Sequence, residues 1–295
     1  MKELTIVSGK GGTGKTSVTA ALAALAGDLV LCDNDVDAAN LHLLAAPSER
    51  EHHVFMGGWQ AHVDEESCSA CGLCADNCHF DAFVPTPEGK YQVVPSLCEG
   101  CRLCERLCPE QAISSAQSDN NQWFVSDSRF GTVLHARMGP GEENSGKLVS
   151  TLRKKARELA LQEGRKWILN DGPPGIGCAT IASLTGADAV LVVVEASRTG
   201  WHDAKRVITL AQGFHLPVFI LINKADIHPG ITAQIELEVA EAGLPLLGKL
   251  SFDRTMVEAM LEGLTLTEYA PESEGALQLQ AVWQGLVQKL DVATS

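Results

Sequence analysis

Residues Gly9-Lys10-Gly11-Gly12-Thr13-Gly14-Lys15-Thr16 match the pattern G-x-x-x-x-G-K-S/T, and no other feature restricts the fold of this chain so strongly. The string follows a short apolar run, Thr5-Ile6-Val7, and opens an Ala/Leu-rich stretch from Lys15 to Ala26. A strand, a glycine turn and a helix in that order let backbone N–H groups curl around phosphate oxygens. The positive end of the helix then faces the same anion. In this arrangement Lys15 reaches the β- and γ-phosphates and the Thr16 hydroxyl ligates Mg²⁺. Gly11, Gly12, Thr13, Gly14 and Ser17 complete the expected nucleotide contacts.

Apolar β-runs recur at 29–32, 132–136, 166–170, 189–194 and 217–222, separated by helical stretches such as 146–162. Such alternation predicts an α/β fold, a mostly parallel sheet with helices on both faces. Two runs end in acids. One leads into Asp33-Asn34-Asp35-Val36-Asp37, the other into Asn170-Asp171-Gly172-Pro173-Pro174-Gly175. Carboxylates at the C-terminal ends of parallel strands, beside a phosphate loop, face Mg²⁺ and the attacking water. Asp171 fits the strand-end acid that holds the metal's water shell, and Gly172 and Gly175 fit a loop that approaches the γ-phosphate. Asn223-Lys224-Ala225-Asp226 follows another run. Asn223 and Asp226 are the candidate base contacts. Many GTPases read guanine with N-K-x-D, so the string alone leaves the base open.

Eight of the ten cysteines lie between Cys68 and Cys108. No apolar run approaches the ~18 residues of a membrane span, and the N-terminal apolar stretch is too short for a signal peptide. The expected location is therefore the cytoplasm, where a dense cysteine cluster points to metal, not to disulfides. With 37 acids against 23 bases, a net of 14 negative charges, the chain is also ill suited to non-specific nucleic-acid binding. The runs Cys68-x2-Cys71-x2-Cys74-x3-Cys78 and Cys98-x2-Cys101-x2-Cys104-x3-Cys108-Pro109 have bacterial-ferredoxin spacing. In such runs three thiolates hold three corners of one 4Fe–4S cluster, and the fourth cysteine ligates the other cluster. The expected sets are Cys68, Cys71, Cys74 and Cys108 for one cluster, and Cys98, Cys101, Cys104 and Cys78 for the second. Zinc sites favour paired C-x-x-C arms over triplets. The first run departs from its duplicate in one respect: His79, not proline, follows its last cysteine. The cysteine region reads as a small α+β ferredoxin-like insertion at 61–117, between two parts of a P-loop domain at 1–60 and 118–295. Asp64, Glu65, Glu66, Asp76, Asp81, Glu88, Glu99 and Glu105 outnumber Lys90, Arg102 and Arg106 there, which suits docking to a basic face of a redox protein.

Lys10, an extra lysine early in the loop, gives K-G-G-T-G-K-T. This string resembles the deviant Walker A family, which includes MinD, ParA and the nitrogenase iron protein. Together with the doubled cysteine motif, the chain resembles MinD-superfamily P-loop ATPases that carry an inserted two-cluster ferredoxin. The 139–147 loop is a candidate partner or nucleotide contact. His135-Ala136, the stretch Pro140 to Val149, Asp171 to Cys178 and Trp201-His202-Asp203 add to the resemblance. It implies ATP as nucleotide and a nucleotide-dependent homodimer or paralogous heterodimer. It also implies a role for Lys10 at the partner's phosphates, Asp33 near the metal, and Asp35 orienting or activating water. Lys10, Lys15, Asp35 and Asp171 are the implied catalytic set. Cys178 stands seven residues after Asp171, the spacing of a cluster ligand in the nitrogenase iron protein, but 114–170 contains no second cysteine. A buried structural role is expected for Cys178 and for Cys32. The C-terminal positions Leu279, Val282, Leu286 and Leu290 have the spacing of a core-facing helix, with Lys289 as the sole basic residue in that helix. The expected function is ATP-gated electron transfer. The alternatives are an iron–sulfur assembly or delivery ATPase of Mrp type and a positioning ATPase of the MinD/ParA kind.

Overall fold

The apolar runs form the centre of a large sheet in the computed structural model, which describes residues 1–27, 29–139 and 145–292. The strands are β1 (Lys2–Ser8), β2 (Leu29–Asp33), β3 (Ser48–Phe55), β4 (Trp59–Val63), β5 (Phe83–Pro85), β6 (Tyr91–Val93), β7 (Ile113–Gln117), β8 (Asn121–Ser128), β9 (Gly131–Arg137), β10 (Trp167–Pro174), β11 (Ala189–Glu195), β12 (Val218–Asn223) and β13 (Leu246–Leu250). Among the described residues nine strands form one sheet in the order β13-β12-β11-β1-β10-β2-β9-β8-β3. The pairs from β13 across to β9 are parallel. In a parallel sheet covered by helices both strand faces are buried, which explains the unbroken Val/Leu/Ile runs in β11 and β12.

The chain divides into two compact units. The first comprises 1–51, 124–136 and 145–295. The helix Lys15–Ala26 buries Val18, Leu22 and the alanines around them against Leu4, Ile6 and Leu31. Leu279, Val282, Leu286 and Leu290 of the helix Glu274–Val292 join the same cluster, as their spacing implies. On the other side of the sheet, Trp201, Ala204, Val207 and Ile208 of the helix Arg198–Gly213 cover Val190, Val192 and Ile220. Among the described residues no helix is long and apolar enough to cross a membrane.

The second unit comprises 52–123 and 137–144. It is wider than the 61–117 stretch marked by the cysteines, because the segments leading in and out of the cysteine runs pack with them. Its sheets are two antiparallel pairs, β4 with β7 and β5 with β6. Ala61, Phe83 and Ile113 form its buried apolar cluster, and five of the cysteines pack around it. Sequence pattern did not reveal β3, expected as irregular chain. Its side chains Ser48 to His53 are polar and mostly exposed, as suits the last strand in the sheet order.

Candidate functional site

The phosphate loop joins β1 to the helix Lys15–Ala26, and the strands beside it bring acids to the same end of the sheet. Ile6, Asp171 and Asp33 stand in one register row across β1, β10 and β2. Gly14 is the cap of the helix, with φ 88°. A Cβ there would lie 2.4 Å from Asn223 Nδ2. That close approach allows the Asn223 amide to donate to the Thr13 carbonyl at 2.7 Å. Lys224 Nζ donates to the Gly12 carbonyl at 3.0 Å, so the end of β12 ties the loop at two points. Asp226 accepts the Phe252 N–H at 2.6 Å.

Lys15, only 6 % exposed, donates to Asp171 Oδ1 at 2.9 Å and lies 3.5 Å from Asp35 Oδ2. Thr16 Oγ1 donates to Asp171 Oδ2 at 2.7 Å. Asp33 is fully buried, and its carboxylate accepts the N–H groups of Asp35 and Leu41, both at 3.2 Å. It thus shapes the loop that carries Asp35. Burial opposes the charge on Lys15, but Asp171, Asp35 and Asp33 outweigh it and raise its proton affinity. Burial, and then the charge of Asp171, pushes the Asp33 carboxyl well above the usual range. Asp35 is raised too, first by burial. Three carboxylates therefore share one ammonium, an arrangement that favours a further cation. The loop, Asp35 and Pro174 line a cleft of about 440 Å³ with Leu43, Leu44 and Met260, a volume typical of small-molecule sites.

Replacing Asp171 by alanine should cost about 3–5 kcal/mol of stability, because it strands a buried ammonium. Urea unfolding measures this. A loss below ~1 kcal/mol would mean that Asp35 alone compensates Lys15.

Lys10 does not turn into this cleft. Its Nζ lies 2.6 Å from Glu195 Oε2 and 3.4 Å from Ser197 Oγ. Glu195 also pairs with Lys224 at 3.5 Å, and these contacts, that of Lys10 first, hold its carboxyl below the usual range. Glu195 was not among the residues expected at this site, and Lys224 was expected only as part of the Asn223–Asp226 string, with no role of its own. Glu195 had a usable signal, since it ends β11 as Asp33 ends β2. Gly172, expected in a loop that approaches the γ-phosphate, lies inside β10. A Cβ there would press to 2.7 Å on Val7 Cγ1, so its missing side chain serves strand packing. Cys178, expected buried, is exposed at the start of the helix Cys178–Leu184. Cys32 is buried as expected and donates to Asn34 Oδ1. Residues 140–144 of the 139–147 segment lie outside the described residues.

In the second unit the cysteines line two small cavities. Cys68, Cys71, Cys74 and Cys108 border one. Cys78, Cys98, Cys101 and Cys104 border the other, which Cys74 also touches. The fourth cysteine of each run therefore stands with the other run. The Ala82 N–H donates to Cys78 Sγ at 3.4 Å and the Ala112 N–H to Cys108 Sγ at 3.3 Å. Burial, reinforced by Cys98 and Cys101 nearby, pushes the Cys104 thiol up to about 11. Among the described residues no His, Cys, Asp and Glu group is gathered tightly enough for a single metal ion.

A phosphate loop at the end of a parallel strand, with acids from both neighbouring elements behind it, defines a P-loop nucleotide-binding α/β protein. Residues 4–266 match the family described as the CobQ/CobB/MinD/ParA nucleotide binding domain, and the chain belongs to that family. It is 30 % identical over 227 residues to the uncharacterized protein MJ0578 of Methanocaldococcus jannaschii, covering 75 % of this chain and 78 % of that one. The fold is similar to that of the septum site-determining protein MinD of Pyrococcus horikoshii complexed with Mg-ADP. There the TM-score is 0.60 at 18 % identity, covering 97 % and 95 % of the two chains. The cell division ATPase MinD of Pyrococcus furiosus gives a TM-score of 0.58 at 20 % identity, covering 98 % and 99 %.

Proposed function

We propose that this protein binds and hydrolyses ATP as a dimer and couples that switch to electron transfer through two 4Fe–4S clusters held by the cysteine unit. The observation that carries the reading is the distribution of the eight clustered cysteines over two cavities, with Cys74 bordering both and with Cys78 and Cys108 each beside the other run. Cubane corners spread thiolates further apart than the ligands of one ion, in keeping with cysteines not gathered around a single point. The sulfur-rich lining and the N–H donors at Cys78 and Cys108 fit such a cluster. Each cluster supplies one-electron chemistry when bound.

In the ATPase half, the loop N–H groups and Lys15 hold the phosphates. Thr16, Asp33 and Asp171 hold Mg²⁺ and its waters, and Asp35 orients the attacking water. ATP is favoured over GTP because the Asp226 carboxylate already accepts a backbone N–H from Phe252, leaving less of it to accept from guanine. Lys10 acts on the phosphates of the partner chain. The acidic cysteine unit meets a redox protein through a basic face, and that association weakens with salt. Eight cysteines in two ferredoxin-type runs suit resident clusters better than a cluster in transit.

Anaerobic redox titration followed by EPR, with and without MgATP, tests this reading. Expected are about eight irons per chain and two one-electron waves. At least one wave should shift with nucleotide by tens of millivolts, where 59 mV is a tenfold change for one electron. Clusters indifferent to MgATP would overturn the coupling, and protein that binds no iron would overturn the redox reading altogether.

A further inference from the structure

The two cysteine runs repeat at a 30-residue offset, and the backbone repeats with them. Left-handed φ values occur at Ala70 and Gly100 (59° and 65°), at Gly72 and Arg102 (80° and 60°), and at Asp81 and Gln111 (51° and 52°). The short helices Leu73–Asp76 and Leu103–Leu107 follow at the same offset. The side chains between the cysteines differ at most positions, and two of the differences lie on opposite sides of one ion pair. Where the first run has Gly72 and Ala75, the second has Arg102 and Glu105.

Arg102 is an arginine in a left-handed conformation where its duplicate has glycine, and a side chain there is strained. The position is nonetheless firmly held. The guanidinium carbon sits 4.2 Å above the Trp59 ring. Nε and Nη2 fork onto the Glu105 carboxylate at 2.9 and 3.2 Å. Trp59 itself is fixed against the second run, since a Cβ on Gly100 would overlap its carbonyl oxygen. Arg102 lines the cavity of Cys78, Cys98, Cys101 and Cys104, and Glu99 shares that wall. At the matching place in the other cavity a Cβ on Gly72 would meet the Tyr91 hydroxyl at 3.3 Å, with the Asp76 carboxylate 3.9 Å away. One cavity therefore has a guanidinium in its wall where its duplicate has none.

We propose that Arg102 is a positioning residue that makes the two cluster sites unequal: its fixed positive charge favours the reduced form of the cluster held by Cys78, Cys98, Cys101 and Cys104. This rests on the two-cluster reading above. Reduction adds one electron from an external reductant, dithionite in the test, and forms or breaks no bond. The added negative charge is stabilised by a nearby cation. Whatever Arg102 and Glu105 sum to, deleting the guanidinium makes that wall one unit more negative, which fixes the sign of the effect. Arg102 thus sets this site's potential apart from that of the other, whatever the two absolute values are.

The test is a dithionite titration followed by EPR on the full chain carrying Arg102→Gly, Arg102→Lys or Glu105→Gln. Arg102→Gly restores the residue of the duplicate and relieves the left-handed strain, so the fold is not threatened. In that variant one wave should move to lower potential. The expected size is about a tenfold fall in the reduced-to-oxidised ratio at fixed potential, 59 mV for a one-electron couple. The other wave should stay. Arg102→Lys should keep most of the wild-type value, and Glu105→Gln should move the same wave upward. The responding wave should vanish in Cys101→Ser and survive in Cys71→Ser. Two waves that both stay, or move together, in protein with full iron content overturn this proposal and leave the cluster reading intact. Wild-type protein without iron overturns both.

Discussion

Replacing Lys10 by alanine should abolish MgATP-dependent dimerisation and lower ATP turnover by about a thousandfold or more, the scale on which a trans-acting cation contributes to phosphoryl transfer. The nucleotide site of a single chain should survive. Lys15 and Thr16 line the cleft and are held by Asp171 behind them, without a contact from Lys10. The Lys10 side chain, one-third exposed, instead reaches Glu195, where a second chain can draw it away. A surface pair of this kind stabilises the fold by ~1 kcal/mol or less, so the variant should fold normally. Sedimentation with and without MgATP, read beside phosphate release and MgADP binding, separates the possibilities. Unchanged turnover would remove Lys10 from the reaction. Loss of MgADP binding would move it into the chain's own site.

What could be read in the sequence was local, and what could not be read depends on residues brought together by the fold. The helix Lys15–Ala26 is announced by Gly14 before it and Gly27 after it, and the structure gives it those bounds. The parallel strands are apolar throughout because both of their faces are covered, so their alternation with helices was plain. The strands Ser48–Phe55 and Asn121–Ser128 at the far side of the sheet lack that signature, since polar side chains fill their exposed positions. The same division holds in the sites. The phosphate loop and the cysteine spacing are contiguous patterns. The contacts Lys10–Glu195, Lys224–Gly12 and Asp226–Phe252 join residues that no spacing rule connects. Cys178 misled for a related reason. A lone cysteine beside apolar residues suggests burial, but its place at the first turn of a short helix leaves it in solvent.

Serine at Cys108 should cost the protein the cluster of the first cysteine run and leave that of its own run in place. Iron should fall from about eight to about four per chain. The EPR signal that remains should match that of Cys71→Ser, not that of Cys101→Ser. Cys78→Ser should give the opposite result and resemble Cys101→Ser. The reason is the exchange of fourth cysteines: Cys108 borders the cavity of Cys68, Cys71 and Cys74, whereas Cys78 borders that of Cys98, Cys101 and Cys104. Cys71 and Cys101 make clean standards because each borders a single cavity and is exposed, unlike Cys74, which touches both. If each run held its own cluster, Cys108→Ser would instead copy Cys101→Ser, and the crossed assignment would fall. Stability gives a second readout. Among the described residues Ala61, Phe83 and Ile113 form one small apolar cluster of the cysteine unit, with Cys74, Cys78, Cys98, Cys104 and Cys108 packed around it. On the two-cluster proposal, metal ligation staples so small a core and contributes folding free energy. Losing one cluster should therefore increase proteolysis and hydrogen exchange across 52–123, while MgADP binding by the first unit continues. Equal protection of the cysteine unit with and without iron would show that its fold does not depend on the clusters.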